Sequence, residues 1–226
     1  MSKKSAPSRP APRLYLATLE LDDPAELVAL MPRLLAGADV AAVLLRLRRA
    51  DQRSMISRIK MLAPVVQDAG AALLVEGHVE LVARGGADGA HLPSLAALQD
   101  ALPSLKPDRI AGAGGLATRH DAMTAGETGA DYVLFGEPDE HGARPSGEAI
   151  AERLGWWAEL FEPPCVGYAG SPEEAAEFAA AGADFILPGD YIWSDPRGAE
   201  SALAETAKAM RQGFAVVART PQTDAG

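Results

Sequence analysis

Arg46 and Arg48 flank Leu47 in the run Leu44-Leu45-Arg46-Leu47-Arg48. Two guanidinium groups so placed can hold a phosphate or carboxylate through charge-assisted hydrogen bonds. The competing reading is a solvated turn with ordinary surface ion pairs. Further on, Glu76-Gly77-His78 offers a carboxylate and an imidazole close in sequence, and His91 supplies a second imidazole. Together they suit acid–base work or metal ligation. The spacing matches no known metal signature, so Glu76 is the sole metal-ligand candidate; the other reading is a helix-start glutamate and packed histidines. Gly112-Ala113-Gly114-Gly115 resembles a phosphate loop at Gly114. It lacks both the continuation of a dinucleotide fingerprint and the lysine of a P-loop, so a flexible turn fits as well.

Two later segments carry anion-binding potential of another kind. Gly167-Tyr168-Ala169-Gly170-Ser171-Pro172 leads into a helix whose first amides and positive dipole end would face a ligand, at Tyr168, Gly170 and Ser171. Gly189-Asp190 follows a late apolar run. A fixed carboxylate at Asp190 opposes a phosphate there, and can instead cap a helix start or bind a cation. Tyr168, Tyr191 and Trp193 can either cover an apolar ligand or plug the space themselves.

These residues need a scaffold that gathers them. Gly-Ala-Asp recurs at Gly37, Gly86, Gly129 and Gly182, each time after a helix-like segment and before an apolar run. The copies lie roughly 50 residues apart, twice the roughly 25 residues of one βα unit in an eight-unit barrel of about 200. The glycine suits a left-handed helix end, and the aspartate suits amides of the tight turn that follows. Between the copies fall eight strands, starting at about Arg13, Val40, Ala71, Gly89, Arg109, Asp131, Cys165 and Asp184, each followed by a helical segment; the last helix is expected over residues 196–212. The strands are continuous apolar runs, as in a parallel sheet buried on both faces. Asp23-Pro24, Ser171-Pro172 and Asp195-Pro196 place a capping residue before proline at a helix start. The pattern predicts an α/β fold, a (β/α)8 TIM barrel, rather than a doubly wound sheet, whose glycine-rich loop after strand one is replaced by Leu19-Glu20-Leu21-Asp22-Asp23. Residues 1–12 read as a disordered arm, 13–213 as the barrel and 214–226 as a tail. In such a barrel the candidate residues above all fall at the C-terminal strand ends, where sites are built.

Composition narrows the function. The 226 residues are 48% hydrophobic but only 5% aromatic, with a net charge of −10. That charge argues against nucleic acid and against an anionic membrane surface. The single cysteine, Cys165, rules out an internal disulfide. No run is long and apolar enough to span a bilayer, and the N-terminus lacks a secretory pattern. A cytoplasmic protein that takes a small phosphorylated ligand, and can form a homo-oligomer, is the expectation.

Several segments resemble thiamine-phosphate synthase. Arg13-Leu14-Tyr15-Leu16 is similar to its opening strand, Ala87-Asp88-Gly89-Ala90-His91-Leu92 to its fourth, Gly129-Ala130-Asp131-Tyr132-Val133-Leu134-Phe135-Gly136 to its sixth, and Ala181-Gly182-Ala183-Asp184 leads into its eighth. The resemblance covers about residues 13–212. It implies joining of a hydroxymethylpyrimidine diphosphate to a thiazole phosphate with Mg²⁺. It also marks departures. Arg46 keeps the family's arginine and Arg48 stands for its lysine, but Leu44 replaces the glutamine that contacts the pyrimidine. Glu76-Gly77 replaces Asn-Asp, and Pro93-Ser94-Leu95-Ala96 replaces Gly-Gln-x-Asp, so both Mg²⁺-binding aspartates are absent. The strand-five serine aligns with Gly114, the Gly-Gly after strand seven is Tyr168-Ala169, and the phosphate-loop serine is Asp190. The family's lysine after strand six has Arg144 as the nearest cation. The expectation is a barrel of this ancestry without the standard synthase activity; the alternative is a divergent enzyme acting on thiazole phosphate or another phosphorylated heterocycle.

Overall fold

A computed structural model describes residues 9–139 and 141–219. Residues 1–8 of the expected arm (1–12) and residues 220–226 of the expected tail lie outside the described residues. The chain alternates strand and helix: β1 (Arg13–Ala17), α1 (Ala25–Gly37), β2 (Val40–Leu45), α2 (Gln52–Asp68), β3 (Ala72–Glu76), α3 (Val79–Gly85), β4 (Gly89–Leu92), α4 (Leu95–Leu105), β5 (Ile110–Ala113), α5 (Arg119–Thr128), β6 (Tyr132–Phe135), α6 (Gly147–Leu160), β7 (Cys165–Ala169), α7 (Pro172–Ala181), β8 (Phe185–Pro188), α8 (Tyr191–Ser194) and α9 (Ala199–Arg219). The strands pair in parallel, each with its sequence neighbour, and β8 closes onto β1. This is the (β/α)8 TIM barrel that the repeat count predicts.

The strand pleat divides the core into two layers, because successive side chains point to opposite faces. Leu14, Leu16, Val43, Leu45, Leu73 and Val75 point outward and pack under the helices. Tyr15, Ala17, Leu44, Leu74, Tyr132, Leu134, Val166, Tyr168 and Leu187 point inward and fill the barrel. Following each inward row to the strand's end or just past it brings Arg46 after Leu44, Glu76 after Leu74 and Gly114 after Gly112 to the C-terminal mouth.

Three Gly-Ala-Asp copies behave as expected at their glycines: Gly86, Gly129 and Gly182 end helices in the left-handed conformation. The first copy differs, since Gly37 stays helical and Ala38 turns the chain out in extended geometry. The aspartates do more than close their own turn. Asp88 accepts from the Leu73 amide at 2.7 Å, Asp131 from Ala111 at 2.6 Å and Asp184 from Cys165 at 2.8 Å. Each carboxylate therefore stitches its strand to the start of the preceding one, satisfying an amide that the ladder leaves free. Arg9, assigned to the arm, is anchored here by a 2.8 Å ion pair with Asp184.

Two boundaries are corrected. The final helix begins at Ala199 and runs to Arg219 rather than over 196–212, so residues 214–219 are helix and not tail. Its Gly213 passes so close to the Ala176 carbonyl that a side chain there would collide with it, which seats α9 against α7. The second is the one-turn helix α8 after β8. Of the three proline starts, Ser171-Pro172 opens its helix as expected, whereas α1 starts after Pro24, with Asp23 accepting from Ala25. Asp195 instead accepts from the Arg197 amide ahead of α9.

Candidate active site

The barrel mouth holds an open cavity of about 900 Å³ above β4, β5 and β6 and beneath the segment joining β6 to α6. Arg46, Glu76, Glu137, Arg144 and Arg153 bring charge to its wall, and His91 brings an imidazole. A line of polar side chains runs down from it into the barrel. His91, 1% exposed, places Nδ1 2.9 Å from the Tyr132 hydroxyl, which lies 2.8 Å from the Tyr15 hydroxyl. Both phenols are pushed far above their ordinary range, chiefly by burial, so they stay protonated and act as neutral links.

Above them, His91 Nε2 faces Glu137 Oε1 at 3.4 Å. That separation allows charge attraction, but the alignment leaves Nε2 without a hydrogen-bond partner among the described residues. Burial alone would raise the Glu137 carboxyl. The neighbouring His91, Arg46 and the Gly115 amide outweigh it and hold the group below its ordinary value. Two glycines of one inward row clear the space: a side chain on Gly112 would overlap the Tyr132 ring, and one on Gly114 would overlap Glu137 and press on His91. The glycine run thus spans the end of β5 and the first residues after it, and Gly115 lines the cavity. Gly112 is paired in the sheet, Gly114 makes room for the Glu137 and His91 side chains, and Gly115 lets the Pro93 carbonyl approach.

The remaining predicted residues separate into groups. Arg46 reaches the mouth, where it bonds Glu76 at 3.2 Å and approaches Asp190 at 3.5 Å. Arg48 does not join it. Leu47 forms a parallel bridge with Leu21, and Arg48 turns outward to Glu20 and Asp22, at 3.4 Å and 2.7 Å. His78 also leaves the group: it precedes α3, lies 3.4 Å from Glu80, and lines a separate groove with Asp100 and Ser104. The suggested assembly of Glu76, His78 and His91 therefore does not form, because the left-handed turn at Gly77 sends His78 outside the barrel.

At β7 the expected anion cradle is filled from within. Ser171 caps α7 by accepting from the Glu174 amide, while the Glu174 carboxylate accepts from the Gly170 amide at 2.7 Å and from Arg144 at 2.8 Å. Arg144 also donates to the carbonyls of Gly136 and Tyr168 and lies over the Tyr168 ring. Gly189 lets the Tyr168 hydroxyl approach the backbone after β8. Asp190 precedes α8 but makes no side-chain cap bond. Tyr191 and Trp193 do not plug the mouth. Tyr191 bonds Thr206 and Trp193 donates to the Ala17 carbonyl, both packed against the outer core layer.

Mg²⁺ needs a set of hard oxygen ligands around one point. Here Glu76 is turned onto Arg46 and Glu137 onto His91, and no cluster of three or more His, Cys, Asp or Glu side chains forms among the described residues. The side chains present do not fit the ion. The strand map places Glu137 at the mouth after strand six but gives it no role, and Tyr15 and Tyr132 are site residues that the sequence pattern does not single out; Gly112 and Gly114, glycines on one inward row, are the signal that large groups lie opposite.

The profile of the thiamine monophosphate synthase family matches residues 14–188. A thiamine-phosphate synthase of Rhodospirillum centenum is 36% identical over 207 residues, covering 88% of this chain and 98% of that protein. One from Hyphomonas neptunium is 34% identical over 210 residues, covering 88% and 94%. Among solved structures, a thiamine phosphate pyrophosphorylase from Pyrococcus furiosus superposes with a TM-score of 0.71 at 23% identity, over 89% of this chain and 96% of that one, a likeness of fold. With the profile match and the two synthases each spanning most of its length, the chain belongs to the thiamine monophosphate synthase family.

Proposed function

We propose that this barrel keeps the family's scaffold and small-molecule mouth but does not carry out the metal-assisted joining of a pyrimidine diphosphate to a thiazole phosphate. The observation that carries this reading is the state of Arg46. The one cation that matches the family's position and faces the cavity is already matched by Glu76 and Asp190. A diphosphate leaving group needs its developing charge neutralised, and a carboxylate beside the cation works against that. The internal use of the Gly170 amide and Arg144 by Glu174 supports the same reading, as does the misfit to Mg²⁺.

The protein acts, in this proposal, as a cytoplasmic binder of a small anionic ligand, and the anion contact is made by Arg153. That guanidinium lines the cavity and donates to the carbonyls of Leu116 and Ala117; its charge acts on Asp121, but no carboxylate lies within ion-pair distance of it among the described residues. The test is incubation of purified protein with both synthase substrates and Mg²⁺. No thiamine phosphate is expected. Formation at about 1 s⁻¹, or even a hundredth of it, overturns the proposal.

A further inference from the structure

We infer that His91 and Glu137 form a metal-independent proton-transfer pair at the cavity floor, suited to a small anionic carbonyl compound with an acidic hydrogen on the neighbouring carbon. This goes beyond the loss of synthase chemistry proposed above and does not depend on it. It begins with counting hydrogens. Tyr15, Tyr132 and His91 are linked in one line, and each phenol has a single hydrogen to give. Tyr15 has no hydrogen-bond partner but Tyr132 among the described residues. If His91 Nδ1 donated to Tyr132, Tyr132 would donate to Tyr15, and the Tyr15 hydrogen would be buried with no acceptor. Such an orphan donor costs about 1–3 kcal/mol. The opposite direction satisfies both phenols and sets an N–H, rather than a bare lone pair, against the Glu137 carboxylate 3.4 Å away: Tyr15 donates to Tyr132, and Tyr132 donates to Nδ1. The ring proton then sits on Nε2, the buried atom that has no hydrogen-bond partner.

This sets two complementary groups side by side. Nε2–H can donate, and the Glu137 carboxylate 3.4 Å away can accept. Neither is committed to the other by a well-formed bond, and both residues line the open cavity, with Nε2 itself buried at its floor. In the reaction, Glu137 takes the proton from the carbon next to the carbonyl. The C–H pair becomes the new C=C bond, the carbonyl π pair moves onto oxygen, and Nε2–H holds the resulting oxyanion. Return of a proton from Glu137 to carbon completes the cycle without co-reactant. A neutral imidazole as electrophile beside a carboxylate base is a known solution to this chemistry, used by triosephosphate isomerase. Arg153, on the same cavity, supplies the cation for the substrate's anionic group.

Two measurements test the pair. In protein labelled with ¹⁵N-histidine, the His91 signals, identified by their loss in His91→Asn, are expected to show protonated Nε2 and pyridine-type Nδ1 at neutral pH. Tyr15→Phe removes the donor that sets the direction, and the ring is then expected to populate the Nδ1–H form. The second measurement follows deuterium entering dihydroxyacetone phosphate and pyruvate from D₂O, with neutral hydroxyacetone alongside. At least one anionic probe is expected to exchange about 100-fold faster than in buffer, the scale of a single positioned acid or base. Glu137→Gln is expected to lose this, and His78→Gln, outside the cavity, to keep it. A melting curve checks that Glu137→Gln is folded. A proton on Nδ1 in the unmodified protein, exchange no faster than buffer with either anionic probe, or an unchanged rate in folded Glu137→Gln overturns the inference. Thiamine phosphate formation, by contrast, would overturn only the loss of synthase activity.

Discussion

Gly114 and Glu137 share one space: a β-carbon on Gly114 would run into the Glu137 carboxylate and come within 2.7 Å of His91 Nε2. The missing side chain on β5's inward row is what allows a carboxylate from beyond β6 to lie over a histidine from β4. The site is therefore carved by subtraction, and its position is set by a residue that contributes no chemistry.

Replacing that residue is the direct check. Gly114 is not among the glycines with positive φ, so Gly114→Ala is permitted by its backbone and acts through crowding alone. Overpacking of this kind costs about 1–3 kcal/mol. A lowered Tm and a shifted His91 ring signal are expected together. Gly37→Ala, at a helical site with open space around it, is the control and is expected to leave the ring signal unchanged without lowering Tm.

Acid titration isolates Glu137. Its carboxyl is held below the ordinary value of 4.5 in the folded protein, so the folded state binds this proton less readily than the unfolded chain. The resulting stability is complete above about 4.5 and is lost as pH falls through the lower folded value. Melting curves from pH 7 down to about 3 should fall more steeply for the natural protein than for Glu137→Gln, which has no carboxyl to protonate. Parallel curves would show that the carboxyl is not held down by its neighbours.

How far the sequence foretells this site depends on what sets each residue's direction. Arg46 and Glu76 are readable because the period-two pleat carries the inward rows of Leu44 and Leu74 to the mouth. Arg48 is not, because the bridge between Leu47 and Leu21 redirects the chain beyond β2. Glu137 is readable as a position after strand six, but its meeting with His91 is not, because the left-handed turn at Gly136 sets its direction outside any strand. The meeting of Tyr15 with Tyr132 requires a closed barrel, since 117 residues separate them. Local pattern alone gives both tyrosines an inward face and no partner. The aspartates of Gly-Ala-Asp are legible as turn residues, but their bonds to the preceding strand exist only once the sheet has formed.

That cross-strand bond can be removed singly at Asp184. Asp184→Ala leaves the Cys165 amide without its acceptor and Arg9 without its carboxylate. Since the ion pair is partly exposed and contributes little, most of the loss comes from the orphaned amide, about 1–3 kcal/mol. Urea unfolding should show a lower midpoint with an unchanged slope. Asp184→Asn keeps an oxygen acceptor and should recover more than half of the loss; if it recovers none, the charge rather than the hydrogen bond stabilises the junction.

Arg144 tests how the cavity roof is held. Its guanidinium reaches the Gly136 carbonyl at 3.1 Å, the Tyr168 carbonyl at 2.9 Å and the Glu174 carboxylate at 2.8 Å. One planar fork thus ties the segment after β6 to β7 and to the first turn of α7. Lysine has a single ammonium on a flexible stem and cannot span three acceptors in that geometry. Arg144→Lys should therefore behave almost as Arg144→Ala despite keeping the charge. With each lost bond worth about 1 kcal/mol, amide hydrogen exchange over residues 136–143 should quicken by at least about tenfold in both variants. Exchange in β3 and β4, which Arg144 does not touch, should stay as it was. If Arg144→Lys protected the segment as well as arginine does, charge attraction to Glu174 alone would be holding the roof in place.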